Sequence, residues 1–547
     1  MSDGHTQAGN PESLSEILHN LEARIARIEK ELNIEPVRLR EATVRVSGEG
    51  RAEKTGDSLE FRIGLYWFAK VGIVTLMIGV AFLLLRPFNE LNPAFASILG
   101  YVLSAGVILV SRIIRKQSPL LSGYLLGSAL VLLFLSTLRL HYFSLHPVLS
   151  GRTPEAALLL LIVVVGLSVS LRRKSVYLVS LSLTMGFAVA LLSGYMYSFF
   201  GVTAVVAVST AYIAAKYRWQ NLLIYGMALT YFTNLLWFLN DPLVGNPLAL
   251  RAIPYGAAFA VLFWTVLFAI GVSFHPPEEK ESLKVILASL LNAFLGYGLF
   301  FLMTVSKFQD RLEVLHLGAS VLFLVLAATF WLKEKSRYQT FFYAMTGYAA
   351  LSVAIVADFG APNFFILLCW QSLLVVSTAV WFRSKFIVVA NFVIYIIIFI
   401  AYLALAGTVS ITSLSFGVVA LLSARILNWQ QKRLELKTDK MRTAYLVAAF
   451  FFFPYALYHT VPDNYISLSW LAVALVYYVI SLVLKNTKYR WMALLTFLLT
   501  ALYLIIVGII KLEPVFRIVS FLVLGVVLLV ISFFYARARM KSGAKDS

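Results

Sequence analysis

KLEPVFRIVSFLVLGVVLLVISFFYARAR, residues 511–539, is the stretch that decides the fold class. Between Pro514 and Arg537 its only charged residue is Arg517. The apolar residues are continuous and do not alternate with polar ones, which favours a helix over a barrel strand. About twenty residues at 1.5 Å rise cross the roughly 30 Å hydrocarbon layer of a bilayer. Because lipid offers the backbone no hydrogen-bonding partner, this stretch predicts a membrane-spanning helix.

Apolar runs of similar length recur along the chain from Leu65 onward. Hydrophobic residues make up 60% of the 547 positions and the mean hydropathy is +0.83, as expected of a membrane protein. We predict an all-α polytopic transmembrane bundle of about eighteen helices arranged as hairpins. The runs near Phe187 and Val206 are separated only by SGYMYSFFG and could form one helix. The runs centre near Leu76, Ser104, Val131, Val163, Phe187, Val206, Thr230, Trp264, Leu295, Leu322, Leu351, Leu374, Ile396, Val418, Ala449, Leu475, Leu502 and Leu524.

The net charge of +19 indicates topology and not nucleic-acid binding, because the basic residues lie in short connections between apolar runs. When the connections are numbered alternately, one set with the C-terminal tail holds 28 lysines and arginines and the other holds eight. Positive residues concentrate on the cytoplasmic side, so both termini are predicted to be cytoplasmic. The basic set comprises Arg112, Arg115, Lys116, Arg172, Arg173, Lys174, Lys216, Arg218, Lys280, Lys284, Lys333, Lys335, Arg337, Arg383, Lys385, Arg425, Lys432, Arg433, Lys437, Lys440, Arg442, Lys485, Lys488, Arg490, Arg537, Arg539, Lys541 and Lys545. The other set comprises Arg86, Arg139, Arg152, Arg251, Lys307, Arg311, Lys511 and Arg517.

Three regions follow from this pattern: a cytoplasmic N-terminal region (1–60), a transmembrane helical domain (61–536) and a cytoplasmic basic tail (537–547). Within the first region, apolar residues at alternating steps of four and three predict a short coiled-coil helix over residues 12–34, followed by a flexible linker. This helix either oligomerises the protein or docks a partner, or it lies as an amphipathic helix on the bilayer or the protein's own cytoplasmic face. The candidate oligomerisation residues are Leu14, Leu18, Leu21, Ile25, Ile28 and Leu32.

Arg517 and Lys70 are predicted to be interface anchors on the non-cytoplasmic and cytoplasmic sides. Arg517 lies about 4.5 Å beyond Pro514 at the normal helical rise. From there its guanidinium can reach the interface and avoid the roughly 3 kcal/mol cost of an arginine at the bilayer centre. Pairing with Glu513 or with lipid phosphates is expected, and binding of an external anion is the alternative.

The last helix and the opening runs also carry a resemblance. EPVFRIVSFLVLGVVLLVISFFYARAR at the C-terminal end, FRIGLYWFAKVGIVTLMIGVAFLLL near the start, and the following GYVLSAGVILVSRIIRK and GYLLGSALVLLFLSTLRLHY are glycine-punctuated apolar segments. They resemble a family of predicted bacterial multi-pass membrane proteins, the domain of unknown function numbered twenty-three thirty-nine. The resemblance implies a bacterial inner-membrane location, and it implies no reaction.

A repeated segment follows several basic connections. KYRWQNLLIYGMALT at Lys216, KSRYQTFFYAMTGYA at Lys335, KYRWMALLTFLLTA at Lys488 and, more weakly, KSVYLVSLSLTMGFA at Lys174 share basic residues, an aromatic residue and a helix with small residues. Hairpin duplication would produce this pattern. Convergence of short cytoplasmic loops on positive charge and interfacial aromatics is the other explanation.

Catalytic and metal-binding patterns are scarce. Ionisable residues are almost absent from the centres of the runs, which argues against an ion-coupled transporter. The external loops are short, the chain contains no familiar hydrolase, phosphate-loop or zinc-protease motif, and Cys369 has no second cysteine. No cofactor is predicted. His141, His146, Glu155, His316, His459 and Asp463 form a weak external cation cluster, for which we predict no metal.

Polar residues inside the runs are mainly amides. Asn292 and Gln371 lie near the middle of their runs, and Asn234 and Asn391 lie nearer the ends. Such amides either hydrogen-bond neighbouring helices or bind a neutral ligand. Tyr297 lies between two glycines one turn after Asn292, so we expect a cavity there. The candidate substrate-binding residues are Asn292, Tyr297 and Gln371.

Two function classes remain open. The first is a transporter or binder of a lipid-like or apolar molecule in the bacterial envelope, which we prefer. The second is a non-enzymatic membrane scaffold or assembly protein that recruits a partner or a second copy through its N-terminal coiled coil. Membrane lipids are predicted partners in both cases, and no nucleic acid is expected.

Overall fold

The computed structural model describes residues 79–80, 94–142, 147–275, 281–405, 409–429, 438–508 and 512–527, all in the unit Gly72–Ser547. These residues form seventeen α-helices and contain no strand. The helices are α1 Phe95–Ile114, α2 Pro119–Leu138, α3 Arg152–Arg172, α4 Val176–Leu192, α5 Met196–Tyr217, α6 Gln220–Phe238, α7 Tyr255–Ser273, α8 Leu283–Lys307, α9 Leu312–Thr329, α10 Arg337–Asp358, α11 Asn363–Trp381, α12 Lys385–Leu405, α13 Leu414–Trp429, α14 Thr438–Thr460, α15 Ile466–Leu484, α16 Thr487–Tyr503 and α17 Pro514–Val527.

The seventeen helices correspond one to one with the predicted apolar runs from Ser104 to Leu524. The two runs that could merge are separate helices, α4 and α5, with a break at Ser193–Tyr195 where Gly194 has a φ of 72°. The run near Leu76 and the coiled-coil residues Leu14 to Leu32 lie outside the described residues, apart from 79 and 80. The all-helical fold is therefore confirmed, whereas the total of eighteen helices stays a prediction.

Twelve of the helices are long and apolar enough to cross a membrane. Three more are apolar but shorter, namely α4, α13 and α17. This set of helices is compatible with an integral membrane protein that crosses the bilayer many times.

Helices joined by the basic connections form the tightest pairs. The pairs α1–α2, α3–α4, α7–α8, α9–α10, α11–α12, α13–α14 and α15–α16 each pack more closely than either helix packs against its other neighbour in the chain. Helix α5 is the exception, since it packs against α4 about as closely as against α6. The hairpins predicted from the sequence are thus closed mainly on the basic side.

Five of these basic connections turn through a lysine or arginine in the left-handed conformation. Non-glycine residues avoid this conformation, at a cost of about 1–2 kcal/mol. A cation beside the last carbonyls of a helix offsets part of this cost through the helix dipole, about 0.3–1 kcal/mol. The five residues are Lys174, Arg218, Lys335, Arg383 and Lys485, with φ between 47° and 56°.

This turn also gives the alignment of the repeated segments. Lys174 and Lys335 both occupy the left-handed position, so these two copies are aligned as the sequence suggests. In the other two copies the left-handed residues are Arg218 and Lys485. The left-handed residue therefore lies two residues after Lys216 in one copy and three residues before Lys488 in the other, so aligning these copies on the two lysines does not match the turns.

The candidate site lies in the middle of the helical domain. Helix α8 packs against α6, α7 and α10, and α6 also packs against α7. Helix α8 is therefore surrounded on several sides, and its three faces contact different partners.

Candidate functional site

Asn292 on α8 lies at the centre of a buried hydrogen-bond network. Its amide nitrogen donates to the carbonyl oxygen of Thr265 at 2.8 Å and to the hydroxyl of Tyr343 at 2.9 Å. Its amide oxygen accepts from the hydroxyl of Tyr231 at 2.7 Å. A carbonyl oxygen can only accept, so the contact with Thr265 settles which amide atom is the nitrogen. One asparagine thus links α6, α7, α8 and α10.

Gly296, one turn after Asn292, makes room for this network. A Cβ at this position would overlap Thr265 Oγ1 and lie 3.0 Å from the Tyr231 hydroxyl. The Thr265 and Tyr231 hydroxyls are themselves 3.1 Å apart. The close approach of α7 to α8 therefore depends on the missing side chain, as small residues permit in membrane helix packing.

A groove lies beside this network, between α6 and α8, on a different face of α8. Its volume is about 620 Å³, within the usual range of about 300–1,000 Å³ for small-molecule pockets. Tyr231 forms the wall between the groove and the Asn292 network. The lining residues are Tyr225, Ala228, Leu229, Tyr231, Phe232, Leu235, Phe294, Leu295, Gly298, Leu299 and Leu302.

Gly298 keeps the groove open on the α8 side. A Cβ at Gly298 would meet no atom within 4 Å. Phe294, one turn earlier, is 71% exposed, and Phe232 across the groove is 51% exposed. These rings flank the opening and are accessible from outside the helical domain.

The groove has little to offer a polar ligand. The Tyr231 hydroxyl is already bonded inside the Asn292 network. The Tyr225 hydroxyl is 2.5 Å from Thr184 Oγ1 on α4. The other lining side chains are apolar, so the groove recognises shape and hydrophobicity and provides no acid, base or nucleophile.

Tyr297 lies on a third face of α8 and contacts α9. Its hydroxyl is 3.2 Å from one ring nitrogen of His316, and Thr304 Oγ1 is 3.0 Å from the other. His316 is fully buried. Because Tyr297 and Thr304 are two helical turns apart, they hold the imidazole between them. The sequence placed His316 among external histidines and did not connect it with Tyr297.

Gln371 on α11 belongs to a separate network. Its amide nitrogen donates to the carbonyl oxygen of Tyr348 at 2.8 Å, and its amide oxygen accepts from Ser352 at 3.2 Å. Both partners are on α10. Gln371 therefore links two helices in the same way as Asn292.

Asn391 on α12 repeats part of the Asn292 geometry. Its amide nitrogen lies 3.2 Å from the carbonyl oxygen of Ser372 on α11, 2.8 Å from Ser372 Oγ and 3.1 Å from the hydroxyl of Tyr445 on α14. In both networks the amide donates to a backbone carbonyl on the preceding helix and to a tyrosine two helices further along. This similarity supports a repeat of four helices, α7–α10 and α11–α14.

The three candidate substrate-binding residues are thus not brought together. Asn292, Tyr297 and Gln371 lie in three separate networks, and none of them lines the groove. The groove opens at Gly298, and Tyr297, where the cavity was expected, does not line it. Their role in substrate binding stays a prediction.

Arg517 lies at the start of α17, and its role as an interface anchor stays a prediction. Its guanidinium turns back and donates to the carbonyl oxygen of Leu512 at 3.0 Å. Among the described residues it forms no ion pair with Glu513, so the expected pairing is not observed. Lys70, the other predicted anchor, lies outside the described residues.

The described residues of the predicted external cation cluster do not come together as a group. His141 bonds the carbonyl oxygen of Leu149 at 2.8 Å, and Glu155 is buried with neither carboxyl oxygen partnered by a described residue. His459 contacts the ring of Tyr455, and His146 is not described. No group of three metal-ligating side chains occurs within the described ranges.

Comparison with protein-family models, with curated proteins and with solved structures finds no match to this chain. The resemblance to the predicted bacterial family therefore stays a prediction. The function has to rest on the geometry of the described residues.

Proposed function

We propose that this protein binds the acyl chain of a membrane lipid, or a lipid-like apolar molecule, in the groove between α6 and α8. The observation that supports the proposal is the apolar groove of about 620 Å³ whose opening is formed by Phe232, Phe294 and Gly298. Helix α8 is long and apolar enough to cross a membrane, and Phe232 and Phe294 at the opening are exposed, so a ligand can enter sideways from the lipid phase.

The polar residues around the groove support an apolar ligand over a charged one. Both tyrosine hydroxyls at the groove are occupied, and the amide of Asn292 uses both hydrogens and its oxygen within the protein. A charged headgroup in the groove would lose its hydration without gaining a partner, which is costly in an apolar site. The headgroup of a bound lipid would therefore lie outside the groove.

Native mass spectrometry of the full-length protein, released into detergent, tests the proposal. Wild type should retain one lipid-sized ligand, whose mass identifies its class. Gly298→Leu fills the groove from a position with open space and should lose that ligand. Gly318→Leu on α9 is the matched control, because a Cβ there also meets no atom within 4 Å, and it should retain the ligand.

Equal ligand occupancy in all three proteins, or an empty wild type, would contradict the proposal.

The scaffold alternative is supported by the apolar stripe from Leu14 to Leu32. It predicts an empty groove together with an oligomer that dissociates when Leu21 and Ile25 are both changed to glutamate. The same mass spectra report the oligomeric state.

A further inference from the structure

A second pocket lies between the α1–α2 and α3–α4 connections, far along the chain from the α6–α8 groove. Its volume is about 260 Å³. Arg115 and Arg173 line it together with Tyr124, Tyr177 and Ser175. Unlike the groove, this pocket therefore presents cationic and hydroxyl groups.

A hydrogen-bonded clamp positions one of the two arginines. Ser111 Oγ donates to the carbonyl oxygen of Ser122 at 2.8 Å, and Ser122 Oγ donates to the carbonyl oxygen of Ser111 at 2.7 Å. Both serines are buried. Arg173 Nη1 then donates to Ser122 Oγ at 3.0 Å, which ties the end of α3 to the α1–α2 hairpin. Preorganised donors of this kind reduce the entropy lost on binding.

Within the part of the chain that the structure describes, the two arginines have no acidic partner. Burial, followed by the positive charges of Arg115 and Arg112, lowers the pKa of Arg173. Among the described residues, no carboxylate forms an ion pair with Arg115 or Arg173. The only acidic residue between positions 94 and 240 is Glu155, near the opposite end of α3. The repulsion between the arginines is therefore not offset by this part of the protein.

Two helix starts add to the positive potential. Pro119 begins α2 at the pocket, and Ser175 caps α4 by accepting from the backbone N–H of Leu178. The amino-terminal end of a helix carries a partial positive charge that favours anions. Arg115 and Arg173 also follow the ends of α1 and α3, whose dipoles stabilise a cation, but that role does not require both side chains to line one pocket.

We propose that this pocket binds a phosphate group, carried either by the headgroup of an anionic lipid or by a soluble phosphate compound. Arginine guanidinium groups suit phosphate because they donate several hydrogen bonds in one plane. The volume suits a headgroup and not a whole lipid. Basic pockets between membrane helices are known to bind lipid headgroups. This site is independent of the α6–α8 groove.

The test uses full-length protein in detergent and three probes. Dioctanoyl phosphatidic acid carries both phosphate and acyl chains, glycerol 3-phosphate carries the same phosphate without chains, and dioctanoylglycerol carries the chains without phosphate. Binding is measured by titration with a thermal-shift or thermophoresis readout. The first probe should bind at least roughly tenfold more tightly than dioctanoylglycerol. If glycerol 3-phosphate binds as tightly as dioctanoyl phosphatidic acid, the site is assigned to a soluble phosphate compound. If it binds much more weakly than dioctanoyl phosphatidic acid, the site is assigned to a lipid headgroup.

Variants locate the binding. Arg115→Gln and Arg173→Gln should each weaken phosphatidic acid binding by roughly tenfold, whereas Arg172→Gln, an exposed neighbour outside the pocket, should not. Gly123→Leu fills the pocket without removing charge, because a Cβ there meets no atom within 4 Å. Gly106→Leu on α1 is its control. The proposal is overturned if the pocket variants bind phosphatidic acid as tightly as their controls.

Discussion

Gly296 and Gly298 are two residues apart on α8, and their surroundings differ completely. At about 100° per residue they point to nearly opposite sides of the helix. A Cβ at Gly296 would overlap Thr265 in the hydrogen-bond network, whereas a Cβ at Gly298 would enter open space in the groove. One face of α8 therefore holds the helices together, and the opposite face borders the groove. Substitutions on the two faces should therefore have different effects on stability and on ligand binding.

Gly296→Leu should have the largest effect on stability. Overpacking costs about 1–3 kcal/mol, and each interhelical hydrogen bond lost with it costs about 0.6–2 kcal/mol. We therefore expect the free energy of unfolding to fall by about 3 kcal/mol or more. Denaturant titration of purified protein in detergent measures it, with Gly298→Leu as the matched substitution. Equal destabilisation by both substitutions would contradict the difference between the two faces.

Asn292→Leu should have the next largest effect. It leaves the Tyr231 and Tyr343 hydroxyls and the Thr265 carbonyl without their amide partner, at a cost of about 1–3 kcal/mol. Asn391→Leu is the control at the repeated centre and should cost less, because Asn391 links three helices and Asn292 links four. The groove ligand should remain bound in both variants. Loss of the ligand with unchanged stability would instead make Asn292 a binding residue.

Thr304→Val should have a smaller effect. It removes one of the two partners of buried His316 and leaves the contact with Tyr297, so we expect a loss of about 1 kcal/mol. Thr329→Val is the control, since the Thr329 hydroxyl bonds only its own helix at an exposed position. The same denaturant titration compares the two variants. A larger loss from the control would show that the contact between α8 and α9 does not depend on His316.

Gly298→Leu should have the smallest effect on stability. The Cβ of a side chain at this position meets no atom within 4 Å and borders the groove, so we expect a change within about 0.5 kcal/mol. Its melting temperature should match that of Gly318→Leu. Its effect on ligand occupancy, in contrast, should be complete. A strongly destabilised Gly298→Leu protein would mean that the groove is part of the packed core.

Much of the helical architecture was predictable from the sequence. Continuous apolar runs and basic connections are local signals, and the helices α1 to α17 follow them. The separation of α4 from α5 was ambiguous, because the decisive feature is the backbone conformation of Gly194.

The candidate site was only partly predictable. The amide of Asn292 stood out as a polar residue in an apolar run, but whether an amide bonds a helix or a ligand depends on neighbours far away in the chain. Gly296 and Gly298 flank Tyr297 in the same apolar run, and the sequence does not indicate which of them packs against another helix. The pair Tyr343 and Tyr231 could have been suspected as partners, since a buried tyrosine hydroxyl needs one.

Gly123 and Gly127 on α2 have the glycine-x-x-x-glycine spacing that is typical of close helix packing, but only one of them packs closely. Gly127 does pack closely, since a Cβ there would lie 3.1 Å from Tyr177 and 3.2 Å from Leu181. Gly123, its partner in the motif, meets nothing and lines the arginine pocket instead. Spacing places two residues on one face of a helix, but it does not show which parts of that face are covered.

The most direct measurement is a cryo-electron microscopy map of the full-length protein in lipid nanodiscs. We expect elongated density between Phe232 and Phe294, passing Gly298, with the Asn292 network closed behind Tyr231. The same map of Gly298→Leu should lack that density and keep the network. A wild-type groove closed by its own side chains, or helices α6 and α8 packed together without space between them, would contradict ligand binding in the groove.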